Sequence, residues 1–199
     1  MNDNLAEQKA VLRRKLREEA QRRSNADRTL ASHELCKLVQ AQELWRAARS
    51  VLFYMPLPDE VDIRELMNVA FAEGKSVALP RYSSQQGRYA PCLISNTTTD
   101  LCAGAYCIPE PSAQCPIADP NKLDLLLIPG VGFSLDGRRL GRGKGHYDRL
   151  LAEVRGQKCG VAFDWQVTVE VPAERHDILL NYIVTPTRWH KCGQLAAGV

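Results

Sequence analysis

The sequence predicts an α/β protein built as a three-layer, open, mostly parallel sheet with helices on both faces. Two observations carry that expectation. Short apolar runs that stop at proline alternate with amphipathic stretches along the chain. The run at 123–128, LDLLLI, is almost unbroken in apolar residues, which suits a strand buried on both faces. A third observation concerns function. An acidic cluster and a glycine-rich basic stretch each fall where a strand gives way to a helix, and in open sheets ligands gather outside the carboxyl ends of strands.

In order, residues 4–24 read as a helix whose apolar face is Leu5, Leu12, Leu16 and Ala20. Residues 27–48 read as a second helix, started by Asp27 as cap and carrying Leu30, Leu35, Leu38, Val39 and Leu44. The two helices are expected to form one layer beside the sheet. SVLFYM at 50–55 is the first strand, and it stops at Pro56. A helix follows Asp62 to about Glu73, with Gly74 closing it. Strands are expected at 76–80 and 89–94, and extended chain at 106–111, where each residue before a proline avoids the helical region. After the apolar run, a glycine- and arginine-rich loop at 137–145 leads into a helix opening at Tyr147. Strands at 159–164 and 181–185 follow, the latter being the last, before Pro186.

A chain of 199 residues with 45% hydrophobic content can fill one good-sized core, so residues 1–199 are read as a single domain. The net charge of +3 does not demand nucleic acid. Glu18 and Glu19 interrupt the basic N-terminal helix, and no aromatic platform accompanies it. Seven cysteines, an odd number without a dense framework, favour free thiols in a reducing compartment. No signal-peptide core and no run near the roughly 18 apolar residues of a membrane span are present, which points to the cytoplasm and away from membranes.

The loop at 137–145 sits between a buried strand and a helix start, as an anion site would. Glycines turn backbone N–H groups toward one point, the helix start adds partial positive charge, and Arg139, Arg142 and Lys144 add full charges. It is not a Walker A loop, because Lys144 is followed by Gly145 and not Ser or Thr. Nor does the strict alternation of Gly141, Gly143 and Gly145 match the dinucleotide fingerprint. Asp148 could hold a divalent cation against a phosphate. Asp59 and Asp62 could equally serve as helix caps, whereas Glu60, after a proline-bent turn, is the better candidate for a ligand contact. Lys9 and Arg13, four apart, belong to a solvated face on helical pattern alone. The cysteines show no zinc spacing, and no serine-hydrolase elbow occurs.

These residues resemble a known family. Pro129-Gly130-Val131-Gly132-Phe133, followed by Asp136-Gly137-x-Arg139-Leu140-Gly141-Arg142-Gly143-Lys144-Gly145-His146-Tyr147-Asp148, is similar to the signature of 5-formyltetrahydrofolate cyclo-ligase. Weaker matches fall in the same order along the chain: Lys9-x-x-x-Arg13, Glu60-Val61-Asp62, Ile108-Pro109-Glu110-Pro111, and the stretch from His176-Asp177 to Val184-Thr185. The resemblance implies conversion of 5-formyltetrahydrofolate to 5,10-methenyltetrahydrofolate with ATP and Mg2+, by a protein acting as a monomer.

Residue by residue, it implies ATP contacts at Lys9, Arg13, Arg139, Leu140, Gly141, Arg142, Gly143, Lys144, Gly145, His146 and Tyr147. Lys9 and Arg13 thereby move from a solvated face to the site. Folate contacts are implied at Met55, Glu60, Tyr106, Arg142 and His146, catalytic roles for Arg142 and Lys144, and metal contacts for Asp148 and Asn181. Two positions depart from the family pattern. His146 stands where a tyrosine is usual, and Asn181 where an aspartate associated with the metal is often found. Other classes are a homologue that binds folate and ATP with weakened catalysis, or a sugar-phosphate isomerase or CoA-transferase-like enzyme on a related fold, which would ignore ATP.

Overall fold

A computed structural model describes residues 2–104, 108–174 and 177–193. Tyr106 lies outside the described residues, as do Cys107 and His176. The chain runs α1 (Asn2–Gln21), α2 (Asn25–Gln40), α3 (Glu43–Ala47), β1 (Ser50–Leu52), α4 (Arg64–Ala72), β2 (Ser76–Ser83), β3 (Arg88–Ile94), β4 (Leu101–Ala103) and β5 (Pro109–Pro111). It continues with β6 (Leu125–Ile128), β7 (Gly132–Ser134), β8 (Arg139–Leu140), α5 (His146–Glu153), β9 (Gln157–Val161), β10 (Val167–Thr168), β11 (Tyr182–Thr185) and β12 (Arg188–Lys191).

Seven strands form the main sheet in the order β12-β11-β9-β6-β1-β2-β3. The five inner strands are parallel, and β12 and β3 close the edges antiparallel. The mostly parallel sheet expected from the sequence is therefore present. Its apolar runs are buried on both faces, and all four residues of β6 are buried. Alternate residues sort into two cores. Val51, Val77, Leu125 and Leu127 face a core shared with α2, α3 and α4. Leu52, Ala78, Leu126 and Ile128 face a second one with Leu150 and Leu151 of α5. Each fully buried Val, Leu or Ile side chain among them contributes roughly 1.5–3 kcal/mol relative to exposure.

Several expectations change. The second helix is two helices, broken near Gln42, and its cap is Ser24. Asp27 is the reciprocal partner, its carboxylate accepting from the Ser24 N–H while Ser24 Oγ accepts from the Asp27 N–H. The two N-terminal helices do not share a layer. α2 lies on the main sheet, while α1 buries Leu16 against Val131, Leu140 and Val171. Gly132 makes that approach possible, since a Cβ there would stand 2.5 Å from Leu16.

The stretch read as a loop at 137–145 begins inside a hairpin, whose second strand is β8. β7 and β8 pair antiparallel, and β10 adds to them in a small sheet. Only residues 141–145 remain open before α5. Nor is the strand before Pro186 the last, because the chain turns there and returns as β12. No helix among the described residues is long and apolar enough to cross a membrane.

Candidate active site

The strand order reverses at β1, with β2 on one side and β6 on the other. This is the switch point at which an open sheet parts its loops and leaves a crevice. A cavity of about 950 Å³ opens there. Lys9, Arg13, Met55, Glu60, Asp148 and every residue from 139 to 147 line it, so most of the site expected from sequence converges on one place.

The basic wall is built from α1 and the glycine loop. Arg13 donates from Nε to the Gly141 carbonyl at 2.8 Å, tying helix to loop. Burial, and then the neighbouring Arg17, lower the Arg13 pKa. Lys9 Nζ lies 3.2 Å from Asp177 and 3.8 Å from Glu174. Arg139, whose side chain is only 5% exposed, donates to Asp148 at 2.6 Å and to the Pro129 carbonyl at 3.3 Å, and covers the Tyr147 ring at 5.5 Å. Gly143 (φ 103°) and Gly145 (φ 65°) adopt left-handed conformations that a side chain would strain. Gly145 is the cap of α5 and, with His146, Tyr147 and Asp148, lines the cavity, so the amino end of the helix lies on it.

The acidic wall comes from the chain leaving β1. Tyr54 Oη donates to the Val61 carbonyl at 2.7 Å and closes the turn. Within it, the Leu57 N–H donates to Glu60 Oε2 at 3.1 Å. Arg142 reaches across the cavity and meets Glu60 Oε1 at 3.1 and 3.2 Å and Asp59 at 2.6 Å. Burial raises the Glu60 pKa, with Arg142 opposing that rise. Burial also works against the Arg142 charge, but Asp59 and Glu60 outweigh it and the pKa rises. Asp62 is not the cap of α4, which is Ile63 without a side-chain cap bond, but its carboxylate accepts from the Arg64 N–H at the start of that helix.

His146 sits edge-on to Tyr82 and Tyr89, with ring centroids 5.0 and 5.5 Å away. Its Nδ1 lies 2.9 Å from Arg149 Nη2. A guanidinium only donates, so Nδ1 accepts and the ring is neutral. Burial, then Arg149 and Lys144, push its pKa down, which agrees.

Asn181 is not brought to this site. It precedes β11 at the opposite, amino end of the strands, and its Oδ1 accepts from the Lys158 N–H at 2.8 Å. The expected metal contact is thus a backbone clamp. Among the described residues no group of three His, Cys, Asp or Glu could hold a metal ion. Asp148 offers one carboxylate, already paired with Arg139.

The match to known proteins follows this geometry. The model of the 5-formyltetrahydrofolate cyclo-ligase family matches residues 5–186. The chain belongs to that family. The mouse 5-formyltetrahydrofolate cyclo-ligase is 27% identical over 189 residues, covering 88% of this chain and 92% of its own. The Escherichia coli K12 cyclo-ligase is 31% identical over 145 residues, covering 71% and 80%. The solution structure of Aquifex aeolicus 5,10-methenyltetrahydrofolate synthetase superposes with a TM-score of 0.83 at 29% identity, covering 96% of each chain.

Several residues that line or adjoin this cavity were not assigned to it from the sequence. Asp59 was balanced between cap and ligand, and it pairs with Arg142. Arg149 also lines the cavity, and its spacing of three from His146 on a helix was a usable signal. Tyr89 and Glu110 line the wall as well. β3 carried no motif that separates a cavity residue from a core one, whereas Glu110 of β5 lies in the segment Ile108-Pro109-Glu110-Pro111 that the resemblance matched without a role for it.

Proposed function

We propose that this chain closes the ring of 5-formyltetrahydrofolate to give 5,10-methenyltetrahydrofolate, driven by ATP. The observation that carries the reading is the cavity itself: Lys9, Arg13, Arg139, Arg142 and Lys144 surround a space whose facing wall holds the buried Glu60. A polyphosphate beside a neutral heterocycle rich in N–H donors matches that division of charge.

The formyl oxygen on N5 attacks the γ-phosphorus of ATP, and ADP leaves with the bridging oxygen. N10 then attacks the activated formyl carbon, the C–O bond to phosphate breaks, and N10 loses its proton to give the methenyl cation and inorganic phosphate. Phosphoryl transfer asks for positioning and charge neutralisation more than covalent help. Arg142 and Lys144 are assigned to the charge developing on the transferred group. The loop N–H groups and Lys9 and Arg13 are assigned to the remaining phosphates. Glu60 is assigned to the N–H edge of the pterin, with Met55 against its ring and Tyr106 as a further folate contact. His146, kept neutral, packs at the folate side.

Mg2+ would be held chiefly by ATP phosphates and water, with Asp148 supplying a protein oxygen. Bound there, it would neutralise phosphate charge. The reaction is assigned to residues 1–199 as one domain, acting as a cytoplasmic monomer without nucleic acid or membrane.

The direct test mixes the protein with 5-formyltetrahydrofolate, Mg2+ and ATP and follows the absorbance of the methenyl product. Product formation that requires ATP is expected. Folded protein that yields none overturns the assignment.

A further inference from the structure

Arg142 has two possible addresses. In the structure it spans the cavity to the acidic wall, with Nη2 2.6 Å from Asp59 and both Nη2 and Nε near Glu60 Oε1. Its loop also belongs to the polyphosphate side, between Gly141, whose carbonyl Arg13 holds, and Gly143 in a left-handed turn. One guanidinium cannot serve both walls with the same donors. Glu60 is in the complementary position: its side chain is 8% exposed, Oε2 is taken by the Leu57 N–H, and Oε1 is taken by Arg142. A pterin that uses Oε1 must meet the carboxylate after Arg142 has withdrawn, or displace it.

We propose that Asp59 is a positioning residue that holds Arg142 on the acidic wall and thereby couples the nucleotide and folate sites. The inference rests on the function proposed above. When a polyphosphate draws Arg142 away, Glu60 is left as a buried carboxylate with one donor, and its demand for the N–H groups of the folate rises. Nucleotide therefore tightens folate binding, and by linkage folate tightens nucleotide binding by the same factor. Asp59, 41% exposed, adds a second anchor that holds Arg142 at the acidic wall beside Glu60. It sets how strongly the empty site resists either ligand.

The test measures binding of 5-formyltetrahydrofolate by calorimetry, alone and with saturating adenylyl imidodiphosphate, a non-hydrolysable ATP analogue, at fixed Mg2+. The reverse titration closes the cycle. In the unaltered protein each ligand is expected to tighten the other by at least about fivefold, the lower end of ordinary coupling. Asp59→Asn should bind each ligand alone about two- to fivefold more tightly, as expected for loss of a half-exposed ion pair, and should shrink the coupling factor. Asp59→Glu should restore the coupling. A purely structural role for Asp59 would instead weaken both ligands in the Asn variant. That result, or a coupling factor near one in the unaltered protein, overturns the inference while leaving the proposed function intact. Failure of the unaltered protein to bind either ligand overturns both.

Discussion

At the amino ends of the parallel strands, Asp124 accepts from the Arg49 and Ser50 N–H groups and from Ser50 Oγ, at 2.8 to 3.0 Å. Lys75 donates to the Trp45 and Ala48 carbonyls, and Asn181 accepts from the Lys158 N–H. At the carboxyl ends, the same residue types are joined mainly to one another: Arg142 to Asp59 and Glu60, Lys9 to Asp177, Arg139 to Asp148. A polar side chain bound to backbone has a fixed partner and serves the fold. One bound to another side chain across a cavity has a partner that a ligand can replace. The contrast covers most of the proposed site, with Arg13 on the Gly141 carbonyl as the exception.

Breaking the carboxyl end should have the largest effect. Arg142→Ala or Lys144→Ala is expected to lower kcat for methenyl formation by about 10²–10³-fold, the usual loss for a donor aimed at developing charge, with little change in thermal midpoint. Full turnover in either variant would remove the loop from the reaction.

Next comes Glu60. Burial makes it protonate at higher pH than an exposed glutamate, so folate affinity should fall on acidification before ordinary carboxylates titrate. Glu60→Gln should weaken folate by about tenfold near neutrality, the equivalent of one charged hydrogen bond, and should remove that acid limb. A limb of unchanged position in the variant would assign it to another group.

The amino end should answer the other way round. Asp124→Ala is expected to cost about 1 kcal/mol of unfolding free energy, discounted for the exposure of its carboxylate, with ligand affinities unchanged. The Asp124 pKa is lowered: burial opposes this, but the Arg49 and Ser50 N–H groups and the Ser50 hydroxyl more than offset it. Its contribution is therefore present above the unfolded pKa of about 3.9 and is lost as pH falls through the lower folded value. Loss of stability in the variant should be visible at pH 7 and vanish in strong acid.

The smallest effect belongs to Asn181→Asp. A carboxylate can still accept from Lys158, so melting temperature and Mg2+ requirement should both stay within experimental error. A tighter metal requirement would return this residue to the site.

What could be read in the sequence follows the same division. The inner strands were legible because burial on both faces leaves unbroken apolar runs, as in β6. β12 was missed because it is an edge strand with exposed ends, and RWHK shows no apolar alternation. The β7–β8 hairpin was missed because its strands are three and two residues long and glycine punctuates them. For α1, periodicity gave the apolar face but not what it meets. The charged residues of the loop were legible as a group from spacing alone. Their partners were not, since Arg142 and Glu60 lie 82 positions apart and local pattern carries no information at that range. Asn181 shows the converse hazard: a residue can align with a ligand position and point its amide oxygen at backbone.

The seat of α1 has a consequence for how the site comes into being. Lys9 meets Asp177 across 168 positions of chain, and Arg13 meets Gly141 across 128. Loop-closure cost grows, if slowly, with the chain enclosed, so contacts of such separation are expected to form after the more local pairings between them. The sheet and its helices can therefore be in place while one wall of the cavity is still missing. Regain of catalysis should lag behind regain of secondary structure during refolding, and the interval between them is the time α1 takes to find its berth.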